Sequence, residues 1–297
     1  MDFSDTPEEA EFRANARAWL KTNAPKNWRT RAAIEGLLSV CKEWQATKYD
    51  AGWACLSWPK KYGGRGATPI QSVIWSQEEV KLAPPSDAML VVGIGMTGPM
   101  LMACANDTQK DRFLPKLARA DEVWCQLFSE PAGGSDLAAL RTRAVPNGDE
   151  WVINGQKIWS SGAHESDWGI LVTRTDPDMP KHKGLTFFLL DMRTPGVEAR
   201  PIKQISGQAH FNEVFFSDVR IPDANRIGEV DDGWRVAMTV LGNERLAVSS
   251  SGLSSRTGAN FETLFDICRE MEGSDGPLIK DEAVRDQLAD WYCINAG

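Results

Sequence analysis

The stretch "CQLFSEPAGGSDLAALRTRA", Cys125 to Ala144, sets a Ser-Glu-Pro, two adjacent glycines and a Ser-Asp into one loop before an apolar-polar pattern resumes. Taken alone, this is a polar turn leading into a strand. On its C-terminal side, "RTRAVPNGDEWVINGQKIWSSG" is of β type: Asn147-Gly148 and Asn154-Gly155, both hairpin-type turn pairs, fall between short runs rich in β-branched and aromatic residues. "DWGILVTRT", "GLTFFLLDM" and "NEVFFSDVRIP" continue as strands. On its N-terminal side the pattern is helical. Thr6-Pro7 is a helix start signal, with Phe12, Ala16, Trp19 and Leu20 on one apolar face, and Thr68-Pro69 opens a second helix in the same way. Between them "WPKKYGGRGATP" is a glycine-rich turn. After Gly233 helical periodicity returns and persists to about Cys268. The order of helices, antiparallel strands and helices predicts an α+β fold with an N-terminal helical region (1–120), a middle β region (121–232) and a C-terminal helical region (233–297).

The composition narrows the function. With 297 residues, 42% apolar and 25% charged, the chain is an ordinary globular sequence, and a net charge of -8 argues against nucleic acid or an anionic membrane as partner. The six cysteines form no CxxC pair and have no histidine beside them, so no metal site is expected and they read as free thiols of a reducing compartment. The acidic N-terminus lacks the basic character of a leader, which makes the cytoplasm the expected location. Ala88 to Ala105 carries no charge over 18 residues, but three glycines and Pro99 interrupt it, so no membrane span is expected. The same stretch holds a formal GxGxxG, Gly93 to Gly98. Its flanks are helical, which favours buried helices meeting at a glycine-rich contact over a phosphate loop. His164, His182 and His210 lie apart and receive no role.

Several motifs in order, "WPKKYGGRGATP", "DRFLPKL", "FSEPAGGSDL", "WVINGQKIWSSGA", "FNEVFFSDVRIP" and "GWRVAMTVLGNERLAV", resemble the acyl-CoA dehydrogenase family over almost the whole chain. The resemblance implies an N-terminal helical domain, a middle antiparallel β-domain and the start of a C-terminal helical bundle, around flavin adenine dinucleotide (FAD) and an acyl-CoA. It also implies α,β-dehydrogenation of the thioester to the trans-2-enoyl-CoA, with electrons passed to an electron-transfer flavoprotein. A non-catalytic or half-complete subunit of a hetero-oligomer and an acyl-CoA oxidase are the alternatives. Carried over residue by residue, the flavin lies against Gln126, Leu127, Phe128, Ser129, Gly133, Gly134 and Ser135. Ser129 faces the N1 and O2 edge, and Ser135 also meets the CoA. Trp159, Ser160 and Ser161 are the second flavin contact that the resemblance implies, with Trp159 near the ring and Ser161 toward N5. The family order Gly-Ala-Gly is here Ala132-Gly133-Gly134.

The reaction needs a base over Cα with the flavin facing Cβ from the opposite side. The resemblance implies one of two positions for that base, a Glu of the late bundle, which would lie beyond residue 297 or in a partner chain, or Glu244 on the helix "GWRVAMTVLGNERLAVSSSG", which is the one present to test. On a helix turning about 100° per residue, Ala237, Leu241, Glu244, Val248 and Ser251 share one face, so a carboxylate interrupts an apolar row. Gly242, Asn243 and Arg245 are then expected against the substrate. After Gly233 the sequence predicts one long helix and part of another, fewer than a four-helix bundle needs, so a homo- or hetero-oligomer is expected. The segment "CREMEGSDGPLIKDEAVRDQ" lacks the family's Phe-Gly pair, and the resemblance leaves Arg269 and Gln287 partial roles at the adenine end.

Overall fold

A computed structural model describes residues 4–85, 88–254, 261–273 and 276–296. The chain divides into two compact units, 1–248 and 249–297.

The first unit opens with helices α1 (Pro7–Asn23), α2 (Trp28–Glu35), α3 (Leu37–Asp50) and α4 (Pro69–Val80). Thr6 starts α1 as its sequence predicts. Its hydroxyl accepts from the Glu9 amide at 3.3 Å and its own amide donates to the Glu9 carboxylate at 2.8 Å. Thr68 and Gln71 repeat the same reciprocal cap on α4. The apolar face of α1 packs Ala16 and Leu20 against Trp44, Trp53, Leu56 and Trp75. Trp19 stacks on Trp44 with ring centroids 5.5 Å apart, and Trp53 on Trp75 at 4.8 Å. Glu79 accepts from the indole N–H groups of both Trp44 and Trp75. Its neighbour Glu78, buried, takes Arg13 and Arg17 of α1 and Lys81, which ties α1 to α4.

The uncharged stretch folds as α5 (Ala88–Val91), a single π-helical segment Val92–Thr97, and α6 (Gly98–Cys104), followed by α7 (Asp107–Arg119). Its glycines make room for neighbouring elements: a Cβ on Gly98 would stand 2.2 Å from the Trp58 ring, and one on Gly95 would stand 2.7 Å from the Ala247 methyl. They therefore serve packing between elements, and among the described residues no strand precedes them as a dinucleotide fingerprint requires. Among the described residues no helix is long and apolar enough to cross a membrane.

Strands β1 (Trp124–Leu127), β2 (Arg143–Asn147), β3 (Glu150–Lys157), β4 (Trp168–Arg174), β5 (Leu185–Asp191), β6 (Val197–Pro201), β7 (Asn212–Pro222) and β8 (Arg226–Ile227) form one sheet in the order β6-β7-β3-β2-β4-β5-β8. β1 pairs with β4 off this path. Two junctions depart from the expected antiparallel arrangement: β1 runs parallel to β4 and β2 touches β4 in parallel register at Arg143 and Arg174. Both partners are far apart in sequence, so no hairpin forces them to alternate. Asn147-Gly148 turns the β2–β3 hairpin as predicted. Asn154-Gly155 does not turn the chain. It is a bulge inside β3, where the register against β7 shifts between Ile153 and Gly155. Gly155 has φ 152°, and a Cβ there would meet Thr142 at 2.6 Å.

β4 and β5 are apolar without alternation because both of their faces are buried. Ile170, Val172, Phe187 and Leu189 face the core shared with α6, α7 and α8, whereas Leu171, Phe188 and Leu190 face a second core with Ile153, Val214, Phe216 and Ile221. Helix α8 (Gly233–Ser254) follows the sheet. Val248 and Ser251 of the predicted α8 face have side chains outside the described residues.

The second unit holds α9 (Phe261–Glu270), the short pair β9 (Glu272–Gly273) and β10 (Gly276–Pro277), and α10 (Glu282–Ala296). With α8, the described residues from Gly233 onward thus hold three α-helices where one long helix and part of another were expected, α10 being the addition. Its start is marked by Asp281, whose carboxylate accepts from the Ala283 amide at 2.8 Å.

Candidate functional site

The loop between β1 and β2 is held at both ends. Glu130 and Gly133 exchange backbone hydrogen bonds, each 3.0 Å, which folds Glu130-Pro131-Ala132-Gly133 into a tight turn. Neither Gly133 nor Gly134 adopts a left-handed φ, so the altered glycine order brings no such demand to this turn. What Gly133 permits is close approach: a Cβ on it would lie 3.0 Å from the Asp136 carbonyl oxygen. Leu127 and Phe128 are buried in the two cores, Gln126 and Ser129 are half-buried, and Gly134 and Ser135 are exposed.

A second segment meets this loop through the Ile158 amide, which donates to the Ser129 carbonyl at 2.8 Å. Beyond it, Trp159 stands in the left-handed region at φ 61° with 57% of its surface exposed, edge-on to Phe211. A bulky residue at positive φ is strained, and an exposed indole leaves a flat apolar surface uncovered. Ser160 is buried and its backbone pairs with Asn212 in both directions. Its hydroxyl Oγ has no hydrogen-bond partner. Ser161 is half-buried at the end of the same turn.

Glu244 approaches from α8. Gln126 Nε2 donates to Glu244 Oε2 at 3.3 Å, so the carboxylate stands beside β1, the strand that runs into the loop. Glu244 is half-buried, not sealed in the apolar row that the helical spacing predicts. Val236, Ala237 and Val240 form the buried side of α8, and Gly242 and Arg245 are exposed. Asn243 donates its side-chain amide to the Thr239 carbonyl at 2.8 Å. In the second unit Arg269 pairs with Asp266 and Gln287 is exposed on α10.

One feature was missed in the sequence. Lys157, fully buried at the end of β3, donates to Glu130 at 2.8 Å and to the Phe128 carbonyl at 3.0 Å. Glu130 also accepts from the amides of Arg141 at 2.6 Å and Thr142 at 2.9 Å. Burial pulls the Lys157 ammonium down to about 8, against the opposing attraction of Glu130. Burial works to raise Glu130, but the Lys157 charge and the hydrogen bonds from Lys157, Thr142 and Arg141 bring it below the usual carboxylate range. The shift on Lys157 disfavours its charge while that on Glu130 favours its own. The three donors on Glu130 decide in favour of an ionised pair. The available signal was a lysine in phase with Trp151 and Ile153 on the inward side of β3.

These residues fit FAD. An exposed aromatic face, an orphaned buried hydroxyl beside it and a loop presenting glycine backbone to solvent are what a flat ring with a polar edge and an anionic tail would complete. Beside Asp136, which Lys181 binds at 2.9 Å, a cavity of about 410 Å³ is lined by Arg141, Arg143, Arg174 and Lys181 together with the apolar Ala139, Leu140, Pro177 and Met179. Arg174 is buried there, its guanidinium held by the carbonyls of Ala138, Lys181 and Lys183.

Comparison with known proteins agrees over the whole length. The descriptions "Acyl-CoA dehydrogenase, N-terminal domain", "middle domain" and "C-terminal domain" match residues 6–121, 125–219 and 231–296. Acyl-CoA dehydrogenase IpdE1 of Mycobacterium tuberculosis is 39% identical over 284 residues, covering 93% of this chain and 72% of the relative. The solved Tcur3481-Tcur3483 steroid ACAD is 32% identical with a TM-score of 0.80, covering 99% of this chain and 74% of the other. The ChsE4-ChsE5 complex from Mycobacterium tuberculosis gives the same identity, score and coverage.

Proposed function

The chain belongs to the acyl-CoA dehydrogenase family, oxidoreductases that use FAD, and from that premise we propose that it removes the α-proton and β-hydride of an acyl-CoA thioester, with Glu244 as the base. The observation that carries this reading is the 3.3 Å contact of Glu244 with Gln126, which puts a carboxylate beside the strand entering the loop that fits the flavin. Bound FAD would supply the hydride acceptor. The chain's residues do the rest. Gln126, Leu127, Phe128, Ser129, Gly133, Gly134 and Ser135 hold the cofactor from one side, and Trp159, Ser160 and Ser161 from the other. Gln126 donates to one carboxylate oxygen of Glu244 and leaves the other to face the α-proton. Half-burial of Glu244 limits competition from water. Ser135, Gly242, Asn243 and Arg245 line the path of the CoA, and Arg141 and Arg143 of the cavity beside Asp136 suit its phosphates.

Electrons leave to an electron-transfer flavoprotein, and the working form is an oligomer with itself or with a related chain, a reading supported by the two-protein complexes among the similar structures. The test is anaerobic titration of the FAD-loaded protein with straight-chain and polycyclic acyl-CoAs. Loss of the flavin's visible absorbance with one class identifies the substrate. Intact absorbance with every acyl-CoA would refute the assignment, and steady peroxide formation in air would mark an oxidase.

A further inference from the structure

We propose that the buried Lys157–Glu130 pair is a positioning device that sets the β1–β2 loop against the Trp159 turn, an inference that rests on this loop being the flavin loop. The connections run in both directions. Glu130 uses separate carboxylate oxygens for the amides of Arg141 and Thr142, and so joins the beginning of the loop to its end. Lys157 binds Glu130 and the carbonyl of Phe128, and so joins the same loop to the last residue of β3. Two residues further along stands Trp159, and the intervening Ile158 bonds to Ser129.

Stability alone does not call for charges here. Well-packed apolar residues often replace a buried ion pair at no loss of stability. An apolar pair, however, would leave the Phe128 carbonyl and two amides without their partners, and the loop would keep only the Ile158–Ser129 and Thr142–Gln156 bonds to this segment. The pair contacts neither acyl chain nor base in this arrangement. It acts through Ser129 and Trp159, by holding them at one separation.

Lys157→Met and the double variant Glu130→Gln with Lys157→Met test this in the full-length chain. Two readouts are needed: FAD affinity by quenching of flavin fluorescence, and amide hydrogen exchange without flavin. The expected result for both variants is exchange at Gly133, Arg141 and Thr142 faster by about tenfold or more, with β4 and β5 unchanged, and FAD affinity weaker by about tenfold or more. Lys157→Arg is expected to give no rescue of affinity, because a longer, planar head does not fit a fully buried ammonium site. Parent-like exchange in the loop, or faster exchange spread evenly over the sheet, overturns the proposal. So does failure of both variants to fold, which would assign the pair to the sheet's stability. A parent chain that binds no FAD would sink the functional reading, while the exchange pattern would still decide the role of the pair.

Discussion

Glu244, the base proposed above, has one carboxylate oxygen held by the Gln126 amide at 3.3 Å. Glu244→Gln is expected to retain FAD and acyl-CoA binding and to lose bleaching of the flavin by substrate. Bleaching at the parent's rate in stopped-flow absorbance would move the base to another residue. Glu78 concerns stability, not chemistry. Hydrogen bonds from Arg17, then Lys81 and Arg13, hold it down to about 2, overcoming the opposing effect of burial. Its contribution is therefore complete above the ordinary carboxylate value of 4.5 and is lost as pH falls through about 2. Glu78→Gln should cost on the order of 2–3 kcal/mol at neutral pH, and urea midpoints of parent and variant should converge between pH 4.5 and 2. At this scale Thr6 and Thr68 were legible because each obeys a local rule, the reciprocal cap of a helix start, whereas the apolar row drawn through Glu244 predicted a deeper burial than the half-buried carboxylate has. The partnership of Lys157 with Glu130 was not, because 27 residues separate them and only the folded sheet brings them together.

Between Gly95 and Ala247 the π-helical segment touches α8 one turn beyond Glu244. A methyl at Gly95 would meet another methyl, neither able to swing aside, so the backbones must part. Gly95→Ala is expected to cost roughly 1–3 kcal/mol in denaturant unfolding. It should also lower the rate of flavin reduction more than FAD affinity, since α8 carries Glu244 and the flavin loop does not move with it. Equal losses in both would place the strain elsewhere. Elements with a strong pattern, the periodic α1 and α4 and the mostly apolar β4 and β5, could be read directly from the chain. The β3 bulge was misread as a turn because Asn-Gly supports either, and what decides is Asp218 on β7, which exchanges hydrogen bonds with Asn154. Helix α10 was hidden behind Gly276-Pro277, a turn signal that masked a new start at Asp281.

For the molecule as a whole, helices, sheet and helices could be ordered from the sequence, whereas the parallel seating of β1 on β4 could not, since pairing across more than 40 residues leaves no local trace. That seating matters, because β1 leads into the loop proposed to hold FAD and carries Gln126 to Glu244. We expect the FAD-loaded protein to be an oligomer in light scattering, and a fully loaded monomer would overturn that part of the reading. The tryptophans of the N-terminal core have an optical consequence. Trp19 with Trp44, and Trp53 with Trp75, lie nearly face to face, at interplanar angles of 25° and 18°. Indoles so close share their excited states, and the far-ultraviolet circular dichroism should carry an exciton couplet on top of the helical bands. Trp124 and Trp168, stacked at 5.7 Å and 23° in the other core, add to the same signal. Helix content taken from ellipticity alone will be misjudged, and loss of the couplet in a Trp168→Phe variant during unfolding will time the opening of the N-terminal core separately from the loss of helix elsewhere.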